Sequence, residues 1–560
     1  MKIIKSFKEH NFLTKGLLLA VFIFLLFVYS VVNYGERQTV IDSLIRIEPI
    51  FLAVNLVLIG IVFAMSFRKI LLQFKKVSKK TWIFLAVIFI IGLLLRTAVA
   101  PRTHRLYFDE DIYLDIGKQI LQDGRSCLCN YGTTTQCFSC ELMKWPNGYT
   151  FMLATAYSLF GVSENTAFSF VTLLNSLAVV MIFFAAYLLS KKEIIGLFAA
   201  LLFAVTPLLI MWSTTVATEP VFVFFSISTI TMFLLAKYDK KIFLLAMLLL
   251  AVTVQIKTEG VVLIAVVAAL LFIEKNKFAK EMMPWLVLLA LITPYAIHIY
   301  HASKVDTWGS SGDKFGIAYI QKNIPENLIF WINGYPAIEH PLLFTLFAVI
   351  GLITCKDRKN IFLAIWFGMI FILYCSFYAG SVRYGVDVRY ALLQYPPFLL
   401  LAAYGMYSIT KLKVKMKNFE IVAALLLVAV TVSSFFLYLP TITTPSEKIQ
   451  EAIQARVYHD FAVKTIGSFD KSCFILSHDP SIYLVAGLPS LQSWMGTDTH
   501  IMAEVWNRTD CVILDQDFWC NIEPYQSAEC KTILTEYVAS VKIADLNSTV
   551  GNYSFYMLKK

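Results

Sequence analysis

Four carboxylates, Asp109, Glu110, Asp111 and Asp115, crowd the stretch RLYFDEDIYLDIG from Arg105 to Gly117, just beyond the apolar run that starts at Trp82. An acid at a membrane surface is ordinarily just solvated. Here the acids belong to an amphipathic segment, YFDEDIYLDIGKQIL, whose Tyr107, Ile112, Ile116, Ile120 and Leu121 suit the bilayer surface and would hold the carboxylates at a fixed height. A carboxylate so held is a general base for a hydroxyl group; Asp115 would be dispensable if it faced water. More charges fall in tight turns between apolar runs: Glu219 in STTVATEP, Lys257 and Glu259 in QIKTEG, and Arg383, Asp387 and Arg389 in VRYGVDVRYAL. Each alone suits a turn charge or a snorkelling anchor. Together they ring one face with acids and bases, which points to a polyanionic, membrane-embedded substrate whose phosphate the cations neutralise.

The elements that must position these residues are membrane helices. Of 560 residues, 58% are hydrophobic, only 15% are charged and 45 are Phe, too apolar a chain to bury its surface in a water-soluble core. Thirteen apolar runs, at 16–33, 48–67, 82–100, 165–189, 194–212, 220–236, 242–256, 260–273, 284–300, 341–354, 361–378, 391–409 and 420–439, approach the ~20 residues a spanning helix needs. The first has no small-residue cleavage site after it and reads as an anchor. Lys and Arg resist translocation, and the basic segments MKIIKSFKEHNFLTK, RKILLQFKKVSKK, KK at Lys191, KYDKK, EKNKFAKE, CKDRKN and TKLKVKMKN all fall on one side. That side is expected to be the cytoplasm, with the amino terminus inside.

The loops 101–148 and 301–340 and the tail after Pro440 then lie outside. Sequons at Asn507, Asn547 and Asn552 in the tail agree. The net charge of +10 is mostly topology; no basic stripe interleaves with aromatics, so no nucleic-acid partner is expected. The tail alternates a helical stretch from Ser446 to Ile466, strands CFILSH and DCVILDQ, a helix AECKTILTEYVASV and a strand NYSFYMLKK, the pattern of a small α/β domain. The expected organisation is two extra amino-terminal transmembrane helices (1–81), an all-α polytopic membrane domain (82–440) and an extracytoplasmic α/β domain (441–560).

Cys127, Cys129, Cys137 and Cys140 lie in the first outside loop, and Cys473, Cys511, Cys520 and Cys530 in the tail. An outside location favours disulfides. The C-x-C-x7-C-x2-C spacing of the first group also suits a structural zinc.

The order of motifs, a Lys-rich loop, one apolar run, FDEDIYLDIGKQIL, then WPNGYTFMLATAYSLFGVSENTAFSFVTLLNSL, TEP at Thr218, KTEG at Lys257 and DVRYALLQYPPFLLLAAYG at Asp387, resembles the membrane glycosyltransferases of the GT-C fold. The likeness is to the protein O-mannosyltransferase and aminoarabinose-transferase type, glycosyltransferase family 39, in a prokaryotic, archaeal form. It covers about residues 82–409; the first two helices and the Cys cluster depart from the family pattern. It implies a GT-C membrane domain of about 13 transmembrane helices and transfer of a sugar, with inversion, from a polyprenyl-phosphate donor to a protein, lipid or glycan acceptor at the outer face. By the resemblance Asp109 matches the catalytic aspartate and Glu110 its neighbour in the motif; Lys257 and Arg389 match positions suited to the donor phosphate, and Asp111, Glu219, Glu259, Arg383 and Asp387 are accessory candidates. No cofactor is required, although a divalent metal is open.

Two alternatives stand beside this reading. An oligosaccharyltransferase would use a divalent ion, for which Asp109, Asp111 and Glu219 are candidate ligands, but the tail has no WWDYG-like run, only SWMGTD at Ser493. A transporter or flippase for a lipid-linked solute would place its charges near the midplane rather than at one face.

Overall fold

The computed structural model describes residues 2–304, 314–333, 340–354, 358–382, 388–414, 418–443, 450–522 and 524–559. Two compact units are present, one of residues 1–103, 144–149 and 171–445, the other of residues 104–143, 150–170 and 446–560.

The first unit is helical. Each of the thirteen apolar runs carries helix. Among the described residues seven helices, Arg37–Phe74, Lys79–Val99, Glu164–Ser190, Thr218–Leu235, Met282–Ser303, Arg358–Ser376 and Phe419–Leu437, are long and apolar enough to cross a membrane, with shorter apolar helices including Glu193–Val205 and Leu342–Thr354. Peripheral helices leave large apolar side chains uncovered, Ile50, Val57 and Ile61 on Arg37–Phe74 and Ile421, Leu425 and Phe436 on Phe419–Leu437. Such a surface is stable only against lipid.

Close packing rests on small residues and on satisfied backbone. The helices Leu342–Thr354 and Tyr395–Thr410 cross glycine to glycine: a Cβ on Gly351 would sit 1.9 Å from the carbonyl oxygen of Leu401, and one on Gly405 1.9 Å from that of Phe347. The run at 194–212 is broken at Thr206–Pro207 into Glu193–Val205 and Pro207–Trp212, because proline carries no N–H to continue the ladder. Arg96, in the π-helical turn Leu95–Val99, answers that break. Its guanidinium donates to the carbonyls of Phe203 at 3.1 Å and Ala204 at 3.0 Å and to Asn175 Oδ1 at 2.8 Å. A second buried polar group joins Glu48 to His298 Nδ1 at 2.7 Å and to Asn147.

In the second unit, seven strands among the described residues form one sheet: β1 (Leu128–Gly132), β2 (Cys137–Glu141), β3 (Phe474–Ser477), β4 (Ser490–Gln492), β5 (Val512–Gln516), β6 (Val541–Asn547) and β7 (Asn552–Leu558), in the order β2-β1-β4-β3-β5-β7-β6. The central pairs β4–β3 and β3–β5 are parallel and the rest antiparallel. Strand alternation divides the core. Ile475 and Ile513 face Tyr458, Tyr483 and Phe555, while Phe474, Leu476, Val512 and Leu514 face Met495, Val505 and Ile533. The expected strands CFILSH, DCVILDQ and NYSFYMLKK correspond to β3, β5 and β7, and the helix from Ser446 is seen as Gln450–Ile466. The helix expected through Val541 stops at Glu536, and Val541 opens β6. The Cys-rich loop supplies β1 and β2. Its cysteines pair as Cys127–Cys140 and Cys129–Cys137, which leaves no thiolate set there for zinc; the tail pairs Cys473–Cys511 and Cys520–Cys530.

Candidate active-site residues

The acidic stretch forms the helix Phe108–Asp123 of the second unit. Its entry is bent by Tyr107, at φ 44° and ψ −100°, a region a non-glycine residue occupies only when its surroundings impose it; the ring is buried among Tyr458, Ile482 and Tyr483. Glu110, wholly buried in the first turn, closes the bend. One carboxylate oxygen accepts the backbone N–H groups of Arg105 at 2.7 Å and Leu106 at 2.9 Å, and the other lies 3.1 Å from His104 Nδ1. The carboxylate thus reaches back past the helix start and holds the two residues before Tyr107. Burial alone would raise the Glu110 carboxyl and lower the His104 imidazole; their mutual attraction, with those N–H donors and the carboxylates of Glu164 and Asp111, wins in both cases. Glu110 is held below the usual carboxylate range and His104 well above its own.

The neighbours of Glu110 lie in different surroundings. Asp109 is half-buried in the same first turn. Asp111 is buried, 3.5 Å from His459 Nε2 through one oxygen. Asp115 does not face water: wholly buried, it accepts the Cys129 backbone N–H at 2.8 Å and the Gln119 amide at 3.0 Å, tying the helix to β1. Burial pushes its carboxyl up to about 6, against those two donors and Lys118. His104 Nε2 lies 2.5 Å from Glu164 Oε1, and the His104 and His459 rings are 4.5 Å apart between centroids.

In the first unit, Glu219, Lys257, Glu259 and Arg389 come together from three turns. Glu219 opens the helix Thr218–Leu235 and is 1% exposed. Lys257 follows the helix Lys240–Ile256 and places Nζ 2.9 Å from Glu219 and 3.3 Å from Glu259. Arg389 Nε is 3.8 Å from the same Glu219 oxygen, and its guanidinium lies over the Tyr390 ring at 5.3 Å. The Tyr374 hydroxyl donates to Glu259 at 3.0 Å, and its ring lies 4.5 Å from that of Tyr390. Gly148 of the WPNGY motif packs where only glycine fits, since a Cβ would stand 2.4 Å from the Gln255 carbonyl oxygen, two residues before Lys257. Arg383 and Asp387 lie outside the described residues.

Sequence reasoning passed over Tyr374, Tyr390, His104, Glu164 and His459. A single histidine or tyrosine has no periodicity to betray it, and these meet only through the tertiary fold.

The ArnT of Cupriavidus metallidurans bound to undecaprenyl phosphate superposes over 86% of this chain and 98% of its own, at 12% identity and a TM-score of 0.53; its apo form gives 0.54 at 11% identity. The chain has the GT-C fold. Residues 144–301 match the family model for dolichyl-phosphate-mannose-protein mannosyltransferases, a stretch that holds Glu164, Glu219, Lys257 and Glu259. The Archaeoglobus fulgidus oligosaccharyltransferase in complex with Zn and sulfate aligns over 84% of this chain and 72% of its own, at 12% identity and a TM-score of 0.47. No curated protein sequence matches the chain. Within this GT-C chain the family match takes in Glu219, Lys257 and Glu259, three of the four charged residues of that cluster, and neither Asp109 nor Arg389.

Proposed function

We propose that this chain is a membrane glycosyltransferase that moves a sugar, of the mannosyl class, from a polyprenyl-phosphate donor to an acceptor hydroxyl at the outer face of the cell membrane, with inversion. The observation that carries the reading is the cation pair Lys257 and Arg389, gathered on Glu219 at turns between apolar helices. Two cations in so apolar a setting suit an anionic headgroup on a lipid tail. ArnT, of the same fold, is described with undecaprenyl phosphate bound, a ligand of that class. A phosphate reaching Arg389 would replace its 3.8 Å approach to Glu219, the longest contact of the set.

In this reaction the acceptor oxygen attacks the anomeric carbon as the bond from that carbon to the phosphate oxygen breaks. The acceptor proton passes to Asp109, and the electron pair leaves with the phosphate, where Lys257 and Arg389 stabilise the charge. Glu110, fully committed to His104 and two backbone N–H groups, positions the turn that presents Asp109. The amino terminus would be cytoplasmic, and the acceptor a protein, lipid or glycan hydroxyl.

The test is reconstitution in liposomes with a radiolabelled polyprenyl-phosphate sugar. Transfer or hydrolysis is expected, and Asp109→Asn should lower turnover by about 10²- to 10⁴-fold while donor Kd stays unchanged, since the amide keeps the shape but not the basicity. Flux of the donor across the bilayer without cleavage, or full transfer by Asp109→Asn, would overturn the assignment.

A further inference from the structure

We infer that His104, Asp111, Glu164 and His459 form a binding site for one divalent transition-metal ion, with zinc the ion their chemistry fits best. All four belong to the second unit, and each offers one ligand atom, the four atoms lying within 4.8 Å of one another. Two imidazoles and two carboxylates make a borderline-soft donor set, and the two negative charges offset those of the ion. Tetrahedral zinc, bonded at about 2.0–2.2 Å, spaces its ligand atoms by roughly 3.3 Å. Two of the separations straddle that value, 2.5 Å for His104 Nε2 to Glu164 Oε1 and 3.5 Å for His459 Nε2 to Asp111 Oδ1, and the widest, within 4.8 Å, would close on an ion.

The surroundings are arranged as around a metal-bound histidine. Glu110 faces His104 Nδ1 at 3.1 Å and is itself anchored by two backbone N–H groups, so Nε2 is the nitrogen turned toward Glu164. A carboxylate behind an imidazole in this way fixes the tautomer and raises the basicity of the ligating nitrogen. An independent observation is the second oxygen of Asp111. It is buried without a hydrogen-bond partner. A buried carboxylate oxygen that lacks a donor is an atom a cation would satisfy.

Such an ion joins elements far apart in the chain: the loop before the helix Phe108–Asp123, that helix, the start of Glu164–Ser190, and the helix Gln450–Ile466. Four protein ligands leave no open position, so the ion is a cross-link. It holds the first turn that carries Asp109, and it does not depend on the transfer reaction proposed above. A rival group, His478 with Cys520 and Cys530, has its two sulfurs already joined to each other.

Tag-free, full-length protein in detergent is equilibrated with zinc, desalted and examined by elemental analysis and X-ray absorption. Close to one zinc per chain is expected, with nitrogen and oxygen neighbours at about 2.0 Å and imidazole outer shells. His459→Gln and Asp111→Asn should each weaken zinc binding at least tenfold, Glu110→Gln about tenfold through the ligand behind it, and His478→Ala not at all. The proposal falls if the wild-type protein retains no zinc, if sulfur appears at about 2.3 Å, if the ligand variants bind zinc as well as the wild type, or if His478→Ala loses it. Should a variant not fold, the absorption spectrum of the wild type still decides.

Discussion

Glu110 and Asp115 are as deeply buried as any side chain in the molecule, yet their ionisation is driven in opposite directions. Glu110 has a histidine and two N–H donors for its charge; Asp115 has one backbone N–H, one amide and the charge of Lys118, too little to offset burial. A folded state that holds a proton more tightly than the unfolded chain loses stability as pH rises. With Asp115 near 6 when folded and 3.8 when unfolded, that loss falls between about pH 4 and pH 6 and amounts to roughly 3 kcal/mol. Glu110 adds no slope above pH 4.5, since its stabilisation is lost only as pH falls beneath that value. The Tm of wild type should therefore drop from pH 4.5 to 6.5 more steeply than that of Asp115→Asn; parallel curves would refute the assignment. At the proposed donor site, Arg389 combines a planar fork with a guanidinium lying over the Tyr390 ring, neither of which an ammonium copies. Arg389→Lys is expected to raise the donor KM about tenfold or more, on the order of the 1.5–3 kcal/mol of a charge-assisted hydrogen bond, in initial-rate assays. An unchanged KM and turnover would remove Arg389 from the phosphate. The charged turns were legible in the sequence because each sits between two apolar runs. The His104 constellation was not, because its members stand in a loop, two helix starts and the middle of a tail helix, with no spacing in common.

Helices were legible from apolar length alone, since a span must satisfy its own backbone in lipid and leaves a long unbroken run. What length does not reveal is where a helix yields. The break at Thr206–Pro207 lies inside one apolar run, and Arg96, which caps it, reads in sequence as a stray charge near the end of another. Strands were harder. β1 and β2 are short, cysteine-rich and poor in β-branched residues, so β-propensity is silent there, and β6 follows a helix so closely that it reads as its continuation. The glycine crossing of Leu342–Thr354 and Tyr395–Thr410 gives a test at this scale. Gly405→Ala puts a methyl 1.9 Å from the Phe347 carbonyl oxygen, with backbone rather than a flexible side chain in the way. The helices must separate, at a cost of about 1–3 kcal/mol. A clear fall in Tm in detergent is expected, against little change for Gly368→Ala, which meets nothing within 4 Å. Equal Tm values for the two variants would show that the close approach does not bear on stability.

For the whole molecule, alternating charge makes a prediction that helix packing does not. Single cysteines placed at Lys79 and Lys413 should label only from the cytoplasmic side, and those at Ser446 and Asn507 only from outside. Labelling of both pairs from one side would refute the orientation and with it an outer-face reaction.

The seven-stranded sheet also bears on how the protein is made. Tyr131 of β1 lies opposite Leu491 of β4, so the hairpin's inner edge is completed by residues near the end of the chain. At roughly 5–20 residues per second, a ribosome needs some tens of seconds to deliver that partner. Until then the hairpin presents an unpaired edge, the kind of surface that recruits stray strands. The two disulfides Cys127–Cys140 and Cys129–Cys137 can close within the hairpin alone and would keep it in shape through the wait. A chain cut short before Ser490 would be left with that edge open for good, an aggregation-prone and protease-marked product rather than a smaller working enzyme.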